Sequence, residues 1–197
     1  MKFILKSGKE IRKMKQSEAL GVLGKYIKSP NLVKHGITVS AVMRHFAKLE
    51  GENEEFWAVA GLLHDIDWEM YPDEHCVKSR EILKKEGLCD KTVRAAVSHG
   101  FDICQSDIEP LSYMENVLYT TDELTGLIIA CALVKPERRL ETVDLDTVQR
   151  KWGKKEFARG ANREVIEKGA KRMNKPLDYV IEETLTAMKS IAGEIGL

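Results

Sequence analysis

The chain has 197 residues, the length of one domain, and its 43% apolar and 31% charged composition is that of a folded globular protein and excludes disorder. Lysine plus arginine equals aspartate plus glutamate at 31 each, so the net charge is zero, which argues against a dedicated binder of nucleic-acid polymers or anionic membranes. Four cysteines without a CxxC pair, behind an N-terminus without the long apolar run of a signal peptide, point to a soluble protein of the reducing cytoplasm.

Apolar residues recur at helical spacing along most of the chain, and the reading is all-α with eight or nine helices. Residues 1–16 are expected to form a leader, with strand or hairpin character over 2–14 and a turn at Ser7-Gly8-Lys9. A single helical domain is expected over 17–197. Its first helix, 17–28, takes Ser17 as N-cap and is closed by Ser29-Pro30. The second, 31–50, turns Leu32, Val39, Val42, Met43, Phe46 and Leu49 inward and stops at Gly51. Asn53 caps a third helix over 54–65, with Phe56, Val59, Ala60 and Leu63 inside. A loop over 67–74 precedes helices at 75–86 and, capped by Asp90, up to His99. A long sixth helix, 111–134, ends before Pro136, and its run 127–134 is the longest apolar one, far short of the ~20 residues a bilayer needs. Shorter helices follow at 144–151 and 162–173, and an amphipathic one closes the chain over 177–195. That last face and the zero net charge leave a homodimer open.

Three polar groups fall where apolar ones belong. Asp122 shares a helix face with Leu118, Thr125 and Ile129, and a carboxylate there needs a cation, a hydrogen-bond network or a metal. His64-Asp65 ends the most apolar helix, where two adjacent side chains can converge on one ion. His35 lies one turn before Val39 at the buried edge of its helix, while His45 on the same helix falls off that face. His75 opens the fourth helix and His99 closes the fifth. A nitrogen and oxygen donor set without cysteine argues against structural zinc. It suits Mn, Fe, Co, Ni or catalytic Zn, with Mg also open.

The order His35…His64-Asp65…Asp122, centred on Leu62-Leu63-His64-Asp65-Ile66, resembles the HD superfamily of metal-dependent phosphohydrolases. Lys34-His35-Gly36-Ile37-Thr38-Val39 resembles its first-ligand helix, and His75…Ser79…Ile82-Leu83 the segment that follows the doublet in members with a second metal. Thr121-Asp122-Glu123-Leu124-Thr125-Gly126 and Phe157-Ala158-Arg159-Gly160 resemble a branch known as predicted HD hydrolases. The resemblance spans about 17–197, with a metal-site core over about 31–135 and C-terminal helices over 144–195. Many relatives carry Gly-Lys after the doublet, where this chain has Asp67-Trp68, and His99 is followed by Gly100.

The resemblance implies one or two divalent ions per chain. His35, His64, Asp65 and Asp122 would hold the first, with Asp65 bridging to a second at His75 and His99. With one ion, His75 or His99 would instead protonate the leaving oxygen. It implies hydrolysis of a small phosphate ester, such as a nucleotide, by a metal-activated water. Lys34 and Arg159 are the candidate phosphate contacts, Arg159 because Gly160 allows close backbone approach. A non-catalytic module that senses metal and nucleotide, or a di-iron oxygenase on the same scaffold, would use the same residues.

Overall fold

The computed structural model describes residues 14–154 and 156–197, so the turn at Ser7-Gly8-Lys9 and nearly all of the expected leader lie outside the described residues. Ten α-helices are described: α1 Gln16–Tyr26, α2 Pro30–Leu49, α3 Glu54–Leu63, α4 Val77–Lys85, α5 Asp90–Ser98, α6 Tyr113–Leu133, α7 Leu145–Trp152, α8 Arg163–Arg172, α9 Leu177–Lys189 and α10 Ala192–Ile195. Short 3-10 turns stand at Pro72–Glu74 and Leu140–Thr142, and no strand is present among the described residues. Nor is any described helix long and apolar enough to cross a membrane.

Several expected boundaries shift for local reasons. Ser17 lies inside α1, whose N-cap is Lys15; the Lys15 N–H is taken by Glu18 at 3.4 Å. Pro30 does not close α1 but opens α2 at a first-turn position, where its missing N–H costs nothing. The Glu69 carboxylate caps the turn between them, accepting from the N–H of Lys28 and of Ser29 at 2.8 and 3.0 Å. Cys89, not Asp90, is the N-cap of α5. Ser112 caps α6 two residues late, in a capping box with Glu115, whose carboxylate accepts from Ser112 N–H at 2.9 Å. The closing helix splits into α9 and α10 because the Ser190 hydroxyl donates to Ala187 O at 2.7 Å, competing with the backbone ladder. Leu49, expected inside, is exposed.

Two apolar clusters make up the core. One gathers α2, α6 and α9 around Met43, Phe46, Leu124, Ile128 and Met188. The other gathers α1, α4 and α5 around Leu23, Leu83 and Val97. Helix α3 serves both, giving Trp57 and Ala60 to the first and Val59, Leu62 and Leu63 to the second. It packs on α2 backbone to backbone. A Cβ at Gly61 would stand 2.8 Å from Val39 O and from Met43 Cγ, and one at Gly36 would stand 2.9 Å from Leu62 O.

That contact sets opposite outcomes for two Gly→Ala changes. In a helix interior Ala gains about 1 kcal/mol over Gly. At Gly61 the gain loses to overlap with a carbonyl that cannot swing away, and Gly61→Ala is expected to destabilise the fold by roughly 1–3 kcal/mol. At exposed Gly21 of α1, where a Cβ meets nothing within 4 Å, Gly21→Ala is expected to stabilise it slightly. Denaturant midpoints of the two variants, measured side by side, check the sign of each.

Candidate metal centre

Histidines close two helices. His64 is the C-cap of α3 and His99 the C-cap of α5. The last carbonyls of a helix have no partner within it, and each ring turns back to take one three residues earlier. His64 Nδ1 donates to Gly61 O at 2.8 Å, and His99 Nδ1 donates to Ala96 O. Carbonyls only accept, so both rings carry their proton on Nδ1 and leave Nε2 free. His75 reaches the same state by another route. Its Nδ1 donates at 2.8 Å to Asp67 Oδ1, and the other oxygen of that buried carboxylate accepts the Ser79 N–H at 2.7 Å.

The Nε2 atoms meet. His35 Nε2 stands 3.2 Å from His64 Nε2, and His75 Nε2 stands 3.2 Å from His99 Nε2. Asp122, halfway along α6, brings Oδ1 to 2.9 Å from His35 Nε2 and 3.1 Å from His64 Nε2. Asp65 lies between the two pairs: Oδ1 is 3.4, 3.4 and 3.3 Å from Nε2 of His64, His75 and His99, and Oδ2 is 3.5 Å from His35 Nε2. Donors that share one ion at about 2.0–2.2 Å stand roughly 3–3.5 Å apart. These separations fit two neighbouring ion positions with Asp65 common to both. The C-terminal ends of α3 and α5, rich in unpaired carbonyl charge, add a field that favours cations.

Charge on the ligands follows the same geometry. Burial opposes a positive His64, but the Asp65 and Asp122 carboxylates overcome it and hold the imidazole well above its ordinary pKa. Against the same burial, His64 holds both carboxyls well below theirs, helped by His99 at Asp65 and by His35 at Asp122. Burial also opposes a charged His75, yet its bond to Asp67 raises it. Glu123, beside Asp122, is pushed up to about 7 by burial and by its neighbour's charge.

The centre opens into a cavity of about 630 Å³, lined on its polar side by His35, Asp65, His75, His99, Asp122 and Glu123. Among the described residues, its lining includes no lysine or arginine. Lys34 is exposed, with Nζ beside Gly196, and exposed Arg159 pairs with Glu156, so the structure brings neither to the cavity wall. Gly160 and Ala158 of that segment do line it. His45 hydrogen-bonds Glu183 at 2.6 Å, away from the centre. Sequence reasoning missed Asp67, placed in a loop, together with Glu123, Cys76 and Cys104. The one hint for Asp67 was its charge beside the doublet. It lies eight positions before His75 in a segment without regular period.

The HD domain family model matches residues 32–133, just over half of the chain, and that span contains all six histidine and aspartate residues of the centre. No solved structure matches the chain.

Because Asp65 and Asp122 raise the pKa of His64, an incoming ion competes with a proton below that raised pKa. Affinity for a divalent ion is expected to rise with pH across that range, with protons released on binding at pH 7. Calorimetry in two buffers of different ionisation enthalpy counts them, and a pH-independent affinity would contradict this electrostatic account. Asp67→Asn is expected to weaken binding at the His75–His99 position by roughly 10–100-fold, because it loosens the ring that Asp67 orients. A titration that resolves two ion equivalents checks whether the first position is spared.

Proposed function

The chain belongs to the HD-domain family, a superfamily of metal-dependent phosphohydrolases, and on that premise we propose that it hydrolyses a small phosphate ester, with a nucleotide as the substrate class. The observation that carries the reading is the convergence of four Nε2 atoms and two carboxylates at the floor of a cavity that offers an anion no lysine or arginine among its described lining residues. An anionic phosphate would meet the carboxyl groups of Asp65, Asp122 and Glu123 beside the imidazoles of His35, His75 and His99, and ions held by the same residues would balance its charge.

When bound, divalent ions supply a water acidified to a pKa of about 7 and positive charge for a phosphoryl oxygen. The residues of the chain do the rest. His35, His64 and Asp122 would hold one position and His75 and His99 the other, with Asp65 between them, its Oδ1 near His64, His75 and His99 and its Oδ2 near His35. Asp67, Gly61 O and Ala96 O keep the protons on Nδ1 and so keep Nε2 available. Glu123, titrating near neutrality at the cavity wall, can hold a proton for a leaving oxygen. Half-exposed Trp68 lines the same cavity with its ring edge-on to His75 at 4.7 Å, a surface on which a base can stack.

A second reading, oxygen chemistry on two irons, is favoured by the position of Asp65 between both sets of imidazoles. Metal analysis of protein purified without chelator, for the native chain and Asp65→Ala, separates the two. One or two equivalents per chain are expected, lost in the variant. Phosphate release from a nucleotide and phosphatase panel should vanish with chelator and return with Mn²⁺, Co²⁺, Ni²⁺, Zn²⁺ or Mg²⁺. Two irons with oxygen uptake and no phosphate release would favour the second reading. A native chain that holds no ion even after reloading would overturn both.

A further inference from the structure

The His75 side of the centre differs from the His35 side in one respect. Two thiols stand beside it. Cys76 is fully buried, with Sγ 3.4 Å from His75 Nε2 and 3.9 Å from His99 Nε2. Cys104 comes from the loop after α5, lines the cavity, and places its Sγ 3.5 Å from His75 O. Ligand atoms of His75, Cys76 and Cys104 all lie within 4.8 Å of one another.

Two features of the backbone hold this arrangement. Cys76 has φ 67°, in the left-handed region that an L residue enters at a cost of roughly 1–2 kcal/mol. It caps α4 without making any side-chain cap hydrogen bond, so capping does not account for the conformation. Strain of this kind, kept in a buried residue, marks positions where orientation matters. Gly100 supplies the second feature. A Cβ there would overlap Cys76 Sγ and Cys104 Sγ together, so the two sulfurs share the space a side chain would fill.

We propose that the second ion position is sulfur-bearing: Cys76 Sγ, with Cys104 Sγ on the cavity side, joins His75 Nε2 as a ligand, so this position takes a thiophilic ion such as Zn²⁺, Fe²⁺ or Co²⁺ in preference to Mg²⁺ or Mn²⁺. The inference rests on the reading of the centre as a metal site. Nitrogen and thiolate sulfur on one tetrahedral ion, at about 2.0 and 2.3 Å, stand about 3.5 Å apart, close to the 3.4 Å between His75 Nε2 and Cys76 Sγ. Soft sulfur selects zinc, iron and cobalt, whereas carboxylate and water suit magnesium and manganese. The first position, His35, His64 and Asp122 with Asp65, has only nitrogen and oxygen donors. The two positions of one centre therefore differ in the ions they prefer.

Cobalt(II) titration of the metal-free full chain reads both positions at once. Binding through nitrogen and oxygen gives weak visible bands, and a thiolate ligand adds an intense near-ultraviolet charge-transfer band. Both are expected in the native chain. Cys76→Ser is expected to remove at least half of the near-ultraviolet band and Cys104→Ser a smaller part, with the visible bands retained in each. Circular dichroism shows that each variant is folded, and Cys104→Ser, at a half-buried site, keeps the test open should the buried variant not fold. Cobalt binding with visible bands but no near-ultraviolet band, or a band unchanged in both variants, would overturn the sulfur assignment and leave the metal centre standing. No cobalt binding at all would overturn the metal centre itself.

Discussion

Imidazole nitrogens facing one another at 3.2 Å repel unless a proton or a cation stands between them. This chain arranges two such pairs side by side, His35 with His64 and His75 with His99. In His64, His75 and His99 the proton is tied to Nδ1 by a partner that only accepts, so in the His75–His99 pair a simple change of tautomer cannot relieve the contact. Asp65 and Asp122 then bring negative charge to the same spot. Their charge raises His64, and His64 in turn lowers both carboxyls. A divalent ion answers the same demand better, since several lone pairs can point at it together.

The fold is organised to deliver those donors. Helix α3 contributes His64 at its last turn and can reach the centre only because Gly36 and Gly61 let it lie directly on α2, which carries His35. Helix α6 crosses beneath with Asp122 on a face otherwise formed by Leu118 and Thr125. The two apolar clusters lie on either side of α3, so the centre is held by both. A small shift of α3 would disturb three donors together, His64, Asp65 and, through the turn that follows, the Asp67 support of His75.

The two halves of the centre are built differently. The His35 half is made by regular helices, one turn or one cap at a time. The His75 half joins the α5 cap at His99 to a loop, a left-handed Cys76 and the short segment after α5, where Phe101 pairs with Ser106 and Gln105 Nε2 donates to Asp73 O at 3.2 Å. Loops meet neighbours that sequence spacing does not predict, and here they bring two thiols beside His75 and place Trp68 on the cavity wall.

By itself the sequence determined the helical class, because apolar residues at a 3.6-residue period leave no alternative way to bury them. It also singled out His35, His64-Asp65 and Asp122, since charged or imidazole groups on apolar faces stand out against that period. A cap was legible at Asn53, where a short polar side chain precedes an apolar run. Caps were misread at Ser17, where Lys15 is the N-cap and Glu18 takes its N–H, and at Ser29-Pro30, where the carboxylate of Glu69, distant in the chain, caps the turn. Only the tertiary structure decided that Asp67 orients His75, that Glu123 faces the cavity, that Lys34 and Arg159 do not reach it, and that Cys76 and Cys104 meet across Gly100. Each of these depends on where a loop returns in space, and loop direction is set by packing between elements, for which one strand of sequence carries no period to read.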